Sequence, residues 1–186
     1  MKPVIRRASR VLGRTLVFRD VTPSDTNFIT ALRTDGRKSR FLSYTPPDPE
    51  AQHRWLVEYA NTGGQAYFII EDMSGEALGT IRLYDAVEYS FCWGSWILKD
   101  DCASGAAMES ALMAYDLGIN HLGFSAAHFD VRKKNEKVWR FHERFGAVRI
   151  REDNLDYFYT ISKTAITQSL KKYNRFLTDT VKIEWL

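Results

Sequence analysis

The stretch WGSWILKDDCASGAA, residues 93–107, decides the fold. It begins with aromatic and β-branched residues, which are typical of a strand, and it ends on small residues. Beyond it, Met108, Ala111, Leu112 and Tyr115 recur at helical spacing. The stretch therefore predicts a strand that leads through a loop into a helix.

The junction between this loop and the helix is built from small residues. Glycine and alanine let a backbone approach a ligand closely, and the first turn of a helix offers unpaired N–H groups. Such a junction is an anion site suited to a pyrophosphate. An ordinary turn, with the small residues used only for packing, is the alternative. The residues concerned are Ala103, Ser104, Gly105, Ala106 and Ala107.

A second informative stretch is NEKVWRFHERFGA, residues 135–147. Its apolar residues predict a helix that packs through Val138, Phe141 and Phe145. His142 lies about two helical turns after Asn135, and we expect it to face away from that stripe as a proton carrier. A merely polar surface histidine is the alternative, and Asn135 is equally suited to capping the helix.

The rest of the chain alternates between strand and helix patterns. Three closely spaced strands favour antiparallel pairing in the first half, whereas strands separated by helices favour parallel pairing in the second half. A mixed α/β fold follows. The patterns predict strands at 16–21, 66–71, 78–84, 89–98, 124–131, 148–150 and 157–161, and helices at 22–36, 48–63, 104–117, 135–145 and 164–176.

Charge is unevenly distributed over the 186 residues. The whole chain has a formal net charge of +3, but residues 1–14 hold five basic residues and no acidic one, so the remainder is slightly acidic. We interpret residues 1–14 as a solvated, frayed basic arm; a weak targeting segment or an anion-binding arm are the alternatives. A nucleic-acid-binding protein needs a basic face on its folded body, which this composition argues against.

Other function classes are excluded by what the sequence lacks. No apolar run is long enough to span a membrane. Cys92 and Cys102 form no CxxC pair and join no Cys/His cluster, so we expect no metal and a reducing, cytoplasmic setting. We expect a folded domain at 15–163, between the arm and a C-terminal helix and tail at 164–186.

Together the two stretches resemble the GNAT superfamily of N-acetyltransferases over roughly residues 15–163. Gly105 and Ala107 match its Gln/Arg-x-x-Gly-x-Gly/Ala pyrophosphate signature, and Asn135 and Gly146 match its Asn-x-x-Ala-x-x-x-Tyr-x-x-x-Gly-Phe helix. The chain departs from the pattern at Cys102, which replaces the first Gln or Arg, and at Ala147, which replaces the last Phe. His142 stands where many members have the tyrosine that acts as the general acid.

The resemblance implies a mostly antiparallel sheet of about seven strands with helices on both faces. Its fourth and fifth strands would run parallel and splay apart around acetyl-CoA. The donor would be held by backbone groups of Ile97 and Leu98, by the amides of the small-residue loop and by Asn135. It also implies direct attack by a primary amine of a small molecule, and a homodimer is compatible with it.

The remaining roles are assigned by position relative to that expected site. His142 would protonate the departing thiolate at an ordinary imidazole pKa, and Glu88 would deprotonate the amine. Tyr44, Arg82 and Tyr159 would contact the acceptor. The second stretch favours an amino sugar nucleotide of surface-polysaccharide synthesis as acceptor. The opening helix pair also resembles ribosomal-protein N-terminal acetyltransferases, and a non-catalytic acyl-CoA-binding module is the alternative of another class.

Overall fold

A computed structural model describes residues 2–37, 40–42 and 44–186. One mixed sheet of nine strands runs through these residues, and five α-helices pack against it. The strands are β1 (Ala8–Leu12), β2 (Leu16–Asp20), β3 (Ala66–Asp72), β4 (Ala77–Val87), β5 (Ser90–Leu98), β6 (Ala126–Arg132), β7 (Val148–Glu152), β8 (Asp156–Ser162) and β9 (Lys182–Trp185). The helices are α1 (Thr26–Thr34), α2 (Pro49–Ala60), α3 (Ala106–Asp116), α4 (Glu136–Arg144) and α5 (Lys163–Lys172).

The sheet order is β7-β8-β6-β5-β4-β3-β2-β1-β9, and the pair β5–β6 is parallel. Every other neighbouring pair is antiparallel. This confirms the predicted fold class. The sheet is larger than the expected seven strands because β1 and β9, from the two terminal segments, extend one edge.

Apolar residues on both faces of the sheet explain the layering. One cluster joins α1 and α2 to β3 through Ile29, Leu56 and Tyr67. A larger cluster joins α3 and the neighbouring helices to the opposite face through Leu112, Tyr115 and other buried residues. The predicted arrangement of helices on both faces is therefore correct.

The expectation of a frayed basic arm is wrong, because residues 8–12 form β1 and pair with both β2 and β9. Arg7 also anchors the segment: its guanidinium pairs with the buried Asp20 and donates to the carbonyl of Ala60 at 2.7 Å. The Tyr59 hydroxyl completes this cluster by donating to Asp20 at 2.6 Å. The division at residues 14 and 163 stays a prediction about folding units, although the sheet crosses both boundaries.

Candidate active site

The parallel pair β5–β6 stays together over only part of its length. Its pairing covers Ser90 to Cys92 on β5 and Ala126 to His128 on β6. Both strands continue beyond that point, to Leu98 and Arg132, without pairing to each other. The separated halves leave a gap in the middle of the sheet, which is where a ligand can reach backbone groups.

A β-bulge occupies β5 beside this gap. Opposite β5, Thr80 pairs with Ile97 and Arg82 pairs with Gly94, so Ser95 and Trp96 together face a single residue of β4. Ser95 has a φ of +48°, a left-handed conformation that is strained for a serine, and its carbonyl accepts from the Thr80 hydroxyl at 2.8 Å. Bulges of this kind commonly re-aim backbone groups at functional sites.

A cleft of about 800 Å³ lies beside the gap, and we call it the donor cleft after the ligand that the sequence predicted there. It brings together four of the residues that the sequence predicted for the donor: Ile97, Leu98, Ala107 and Asn135. Its rim is rich in cations, which suits an anionic ligand. The basic residues that line it are Arg37, Arg40, Lys134, Lys137 and Arg144.

The small-residue loop contributes to this cleft less than expected. Only Ala107 lines it, whereas residues 103–106 line a neighbouring cavity of about 490 Å³ together with Phe176. The Ala106 amide is also used internally, because it donates to the Ala103 carbonyl at 3.1 Å. Gly105 has a φ of +102°, and a Cβ there would lie 2.9 Å from the Phe176 ring. Its glycine is therefore required by the chain itself.

The side chain of Asn135 does not cap α4. Asn135 is the N-cap residue of α4, but its side chain makes no cap hydrogen bond. Its backbone carbonyl instead accepts from Val138 and Trp139. The amide side chain borders both the donor cleft and the gap between the strands, and so it remains available to a ligand.

His142 lies at the inner wall of the gap, in a cavity of about 280 Å³. The expectation that it faces away from the apolar side of α4 is wrong: it is 5% exposed and its ring lies 4.2 Å from that of Phe129. Burial lowers the pKa of His142 to about 3. The ring is therefore neutral at pH 7, and it cannot hold the extra proton that an ordinary imidazole pKa would allow. Its Nδ1 atom has no hydrogen-bond partner among the described residues.

A third cavity, of about 370 Å³, adjoins the gap and shares Arg33 and Ser95 with it. We call it the acceptor cavity, after the substrate that the sequence predicted for two of its residues. It brings together two of the predicted acceptor contacts, Tyr44 and Arg82. Its wall also includes Trp55, Tyr67 and the half-buried Arg33, whose Nε donates to the Thr45 hydroxyl at 2.6 Å.

Arg82 is the most constrained charge in that cavity. Its guanidinium lies 5.0 Å from the ring centroid of Trp55 and 4.8 Å from that of Tyr84, and it also bonds the Gln65 side chain. Burial lowers the pKa of Arg82, while Tyr84 and Tyr67 oppose that change. Its Nε–H is buried without a hydrogen-bond partner in the described part of the chain. A buried, incompletely paired guanidinium favours an anion beside it.

Two predicted site residues lie elsewhere. Glu88 sits in the exposed turn between β4 and β5 and pairs with Lys2 at 2.8 Å. That turn is seven residues before the bulge, roughly 20 Å along a strand, so Glu88 lies away from the gap, and its role as the base stays a prediction that this geometry does not support. Tyr159 is 1% exposed, stacks on Phe129 and donates to Glu143 at 2.9 Å. It belongs to the core and not to the acceptor cavity.

The sequence analysis missed three lining residues. Trp55 lies at an apolar position in the helical pattern of α2, which indicates core packing. Arg33 lies at the end of α1, where a basic residue is typical of a solvent-exposed helix terminus. Asp130 alternates with Phe129 and Val131 along β6, which is the pattern of a strand with one solvated face. Only the separation of β5 from β6 makes that face a cavity wall, and nothing in the alternation signals it.

The described residues contain neither a metal-binding cluster nor a membrane-spanning helix. None of their His, Cys, Asp and Glu side chains form a group of three that could hold a metal ion. No helix of residues 2–37, 40–42 and 44–186 has the length and apolar character needed to cross a membrane.

Comparison with known proteins assigns this arrangement to a class. Residues 15–148 match the family model described as an acetyltransferase (GNAT) domain. The chain belongs to the GNAT family of acetyl-CoA-dependent N-acetyltransferases. Among curated proteins, no sequence matches it.

Several solved structures are similar to this chain. One is described as apo FdhC, a nucleotide-linked sugar GNAT: it is 36% identical, the match covers 90% of this chain and 98% of that one, and the TM-score is 0.80. A GCN5-related N-acetyltransferase from Brucella melitensis is 16% identical over 94% of this chain and 88% of that one, with a TM-score of 0.77. Spermidine N-acetyltransferase from Vibrio cholerae, in complex with CoA and spermine, is 17% identical over 82% and 98%, with a TM-score of 0.71. The last two, at these identities, support the fold alone.

Proposed function

We propose that this enzyme acetylates the primary amine of a nucleotide-linked amino sugar. The observation that carries the proposal is the half-buried guanidinium of Arg82, whose buried Nε–H has no partner among the described residues, in an aromatic cavity beside the strand gap. The 36% identity to a nucleotide-linked sugar GNAT supports the same substrate class.

The chemistry of the acceptor cavity fits such a substrate. A nucleotide sugar carries a pyrophosphate, which Arg33 and Arg82 would bind as anion partners. It also carries a flat base, for which Trp55 and Tyr44 offer aromatic surface; Tyr44 is 83% exposed and so free to stack. The sugar would then extend toward Ser95 and the gap, where its amine meets the donor.

The same cavity is poorly suited to the competing acceptors. A polyamine is a polycation, and the cavity wall presents two arginines against the single carboxylate of Asp48 among its described residues. Like charges repel strongly where water is partly excluded. A peptide acceptor of the ribosomal-protein type carries a positively charged N-terminus, which favours an acidic rim, and the described part of this wall is instead rich in arginine. We therefore rank the nucleotide sugar first.

Acetyl-CoA fits the cleft on the opposite side. The cations of the rim would attract its phosphates, and Ala107 at the start of α3 would admit them to the helix N-terminus. Asn135 would donate to or accept from the pantetheine amides. Backbone N–H groups of Ile97 and Leu98, beside the bulge, would hold the thioester carbonyl and stabilise the oxyanion that forms there.

Acyl transfer then needs only the movement of protons. A neutral amine attacks the carbonyl carbon, the C–N bond forms and the C–S bond breaks. His142, neutral at pH 7, would accept a proton from the attacking amine at one ring nitrogen while the other ring nitrogen gives its proton to the departing thiolate, so that no imidazolium has to form. This differs from the direct imidazolium donation expected from an ordinary pKa. The cytoplasmic location and the homodimer both remain predictions.

A turnover panel tests the proposal. Release of the coenzyme A thiol is followed with uridine- and thymidine-diphosphate-linked amino sugars, with spermidine and spermine, and with peptides carrying a free N-terminus. We expect turnover on at least one nucleotide sugar and none above background on the others. Turnover on a polyamine or a peptide alone would reject the proposal. Binding of acetyl-CoA with no turnover on any amine would instead support a non-catalytic module.

A further inference from the structure

Asp130 lies on the separated part of β6, two residues beyond His128, the last residue of that strand paired with β5. It is exposed and lines the cavity of about 280 Å³ in the strand gap. Its carboxylate is thus in the space where the amine must meet the thioester.

Within the described part of the chain, Asp130 is the only carboxylate that lines this cavity. Its side chain makes no hydrogen bond or ion pair with any described residue. Neighbouring carboxylates are engaged: Asp156 pairs with Arg132 at 2.6 Å, and Asp85 lies 3.4 Å from the His128 ring. Among the described residues that line this cavity, Asp130 therefore offers the carboxylate that can bind an ammonium group.

The negative charge of Asp130 changes the pKa of groups around the gap. Burial is the main cause that raises the pKa of Cys92, to about 12, and the negative charge of Asp130 adds to it. The same two causes act on Tyr84. The titratable and charged groups that face Asp130 or share its cavity are Tyr84 on β4, Cys92 on β5, His128 and Arg132 on β6, Asp156 on β8, Arg33 on α1 and His142 on α4.

We propose that Asp130 binds the acceptor as its ammonium ion and takes the first proton from it. The proposal rests on the proposed acetyl transfer to an amine. The protonated amine gives one proton to the carboxylate, which is exposed and passes it to water. The neutral amine then forms the C–N bond as the C–S bond breaks. The second amine proton ends on the coenzyme A sulfur, so one proton is released to solvent per turnover.

The position of Asp130 also divides the proton work of the site. A carboxylate connected to water suits the step that must expel a proton from the protein. His142, buried and without a partner for Nδ1 among the described residues, suits the step that keeps a proton between the two substrates. Glu88 takes no part, because its turn lies at the far end of the β4–β5 hairpin.

The test compares Asp130→Asn with Glu88→Gln, which removes an exposed carboxylate outside the gap. kcat/KM is measured from pH 6 to pH 10 on whichever amine of the turnover panel the wild-type enzyme acetylates. At pH 7 we expect Asp130→Asn to lose about 10²-fold or more, since general base catalysis is commonly worth that much. Above the pKa of the amine the loss should shrink to less than about fivefold, because solvent then supplies the neutral amine. Glu88→Gln should match the wild type throughout.

A loss at pH 7 of less than about threefold would overturn the proposal. So would a large loss that stays constant with pH, because that would show a structural role for Asp130. The dissociation constant of acetyl-CoA should be unchanged in both variants, which confirms an intact donor cleft. The acceptor that the panel identifies decides the proposed substrate class separately, so a polyamine acceptor would reject that class and leave the pH comparison valid.

Discussion

The guanidinium of Arg82 lies 5.0 Å from the ring centroid of Trp55, so a half-buried cation from β4 is held against an aromatic ring from α2. The pair forms one wall of the acceptor cavity. Neither partner alone would specify a ligand. Held together beside the strand gap, they offer an anion site and an aromatic surface within reach of one substrate.

Replacing Arg82 should therefore weaken acceptor binding more than the chemical step. Arg82→Gln removes the charge and keeps a polar but shorter side chain, and we expect KM for a nucleotide-linked amino sugar to rise about 10–100-fold. kcat should change by less than about threefold, because in our proposal the arginine contacts the pyrophosphate and not the reacting carbonyl. Steady-state kinetics measure both, with Arg54→Gln on the exposed side of α2 as the control. An equal rise in both variants would exclude a specific role for Arg82.

The donor cleft can be tested at the first turn of α3. Ala107 is exposed and lines the cleft, so Ala107→Glu adds a negative charge where phosphates should bind without disturbing the core. The dissociation constant of acetyl-CoA should rise at least tenfold, measured by calorimetry. Gln168→Glu adds the same charge on the exposed side of α5 and should have no effect. If both variants bind acetyl-CoA normally, the phosphates lie elsewhere.

Gly105 is a poorer site for that experiment. A side chain there would be strained by the left-handed backbone and would meet the Phe176 ring. A loss of binding in Gly105→Glu would therefore report misfolding and lost phosphate contact together.

Burial of His142 predicts a particular dependence of stability on pH. Above about pH 6.5 neither the folded nor the unfolded chain holds a proton on this ring. Below it, the unfolded chain takes up a proton that the folded chain, with a pKa of about 3, does not. The free energy of unfolding should then fall by up to about 1.4 kcal/mol per pH unit as pH drops.

The contribution of His142 is isolated by comparison with His142→Phe, which keeps a ring of similar size in the same packing. Urea unfolding at pH 7.5, 6.5, 5.5 and 4.5 gives the difference in unfolding free energy between the two proteins. We expect that difference to move in favour of the variant as pH falls below about 6.5. A difference that does not change with pH would mean that the ring titrates normally in the folded protein.

The amino-terminal segment should be structurally necessary. Arg7→Ala leaves the carboxylate of Asp20 buried with fewer partners, and we expect a loss of about 2–4 kcal/mol in the free energy of unfolding. Arg10→Ala, at an exposed position of β1, should change it by less than about 0.5 kcal/mol. Denaturant titration measures both. Equal stability in the two variants would restore the interpretation of residues 1–14 as a dispensable arm.

Periodicity predicted the inner part of this fold well. Local sequence patterns predicted the strand that ends at residue 98, the small-residue junction and the helix from Glu136. The conformation of these residues is determined largely by their neighbours in the sequence. β1 and β9 were missed because each is short and alternates charged with apolar residues. Their strand conformation depends on pairing with each other and with β2, a contact between the two ends of the chain.

The sequence predicted the lining of the donor cleft better than that of the acceptor cavity. β5, α3 and α4 lie near one another along the chain and border the same cleft. They supply four residues that were predicted to meet there: Ile97, Leu98, Ala107 and Asn135. The acceptor cavity joins side chains from α1, α2, β4 and β5, whose meeting depends on tertiary packing. The exposure of His142 was misjudged for the same reason, because Phe129 and Trp93, which cover it, come from other strands.

The central claim is that the nucleotide, and not the amine alone, is recognised. The most direct measurement compares kcat/KM for a nucleotide-linked amino sugar with that for the same amino sugar without its nucleotide. Contacts to pyrophosphate and base worth about 3 kcal/mol together would favour the nucleotide-linked form by roughly 100-fold or more. The account predicts that ratio, and predicts that it falls by at least tenfold in Arg82→Gln. Equal kcat/KM values for the two acceptors would contradict it.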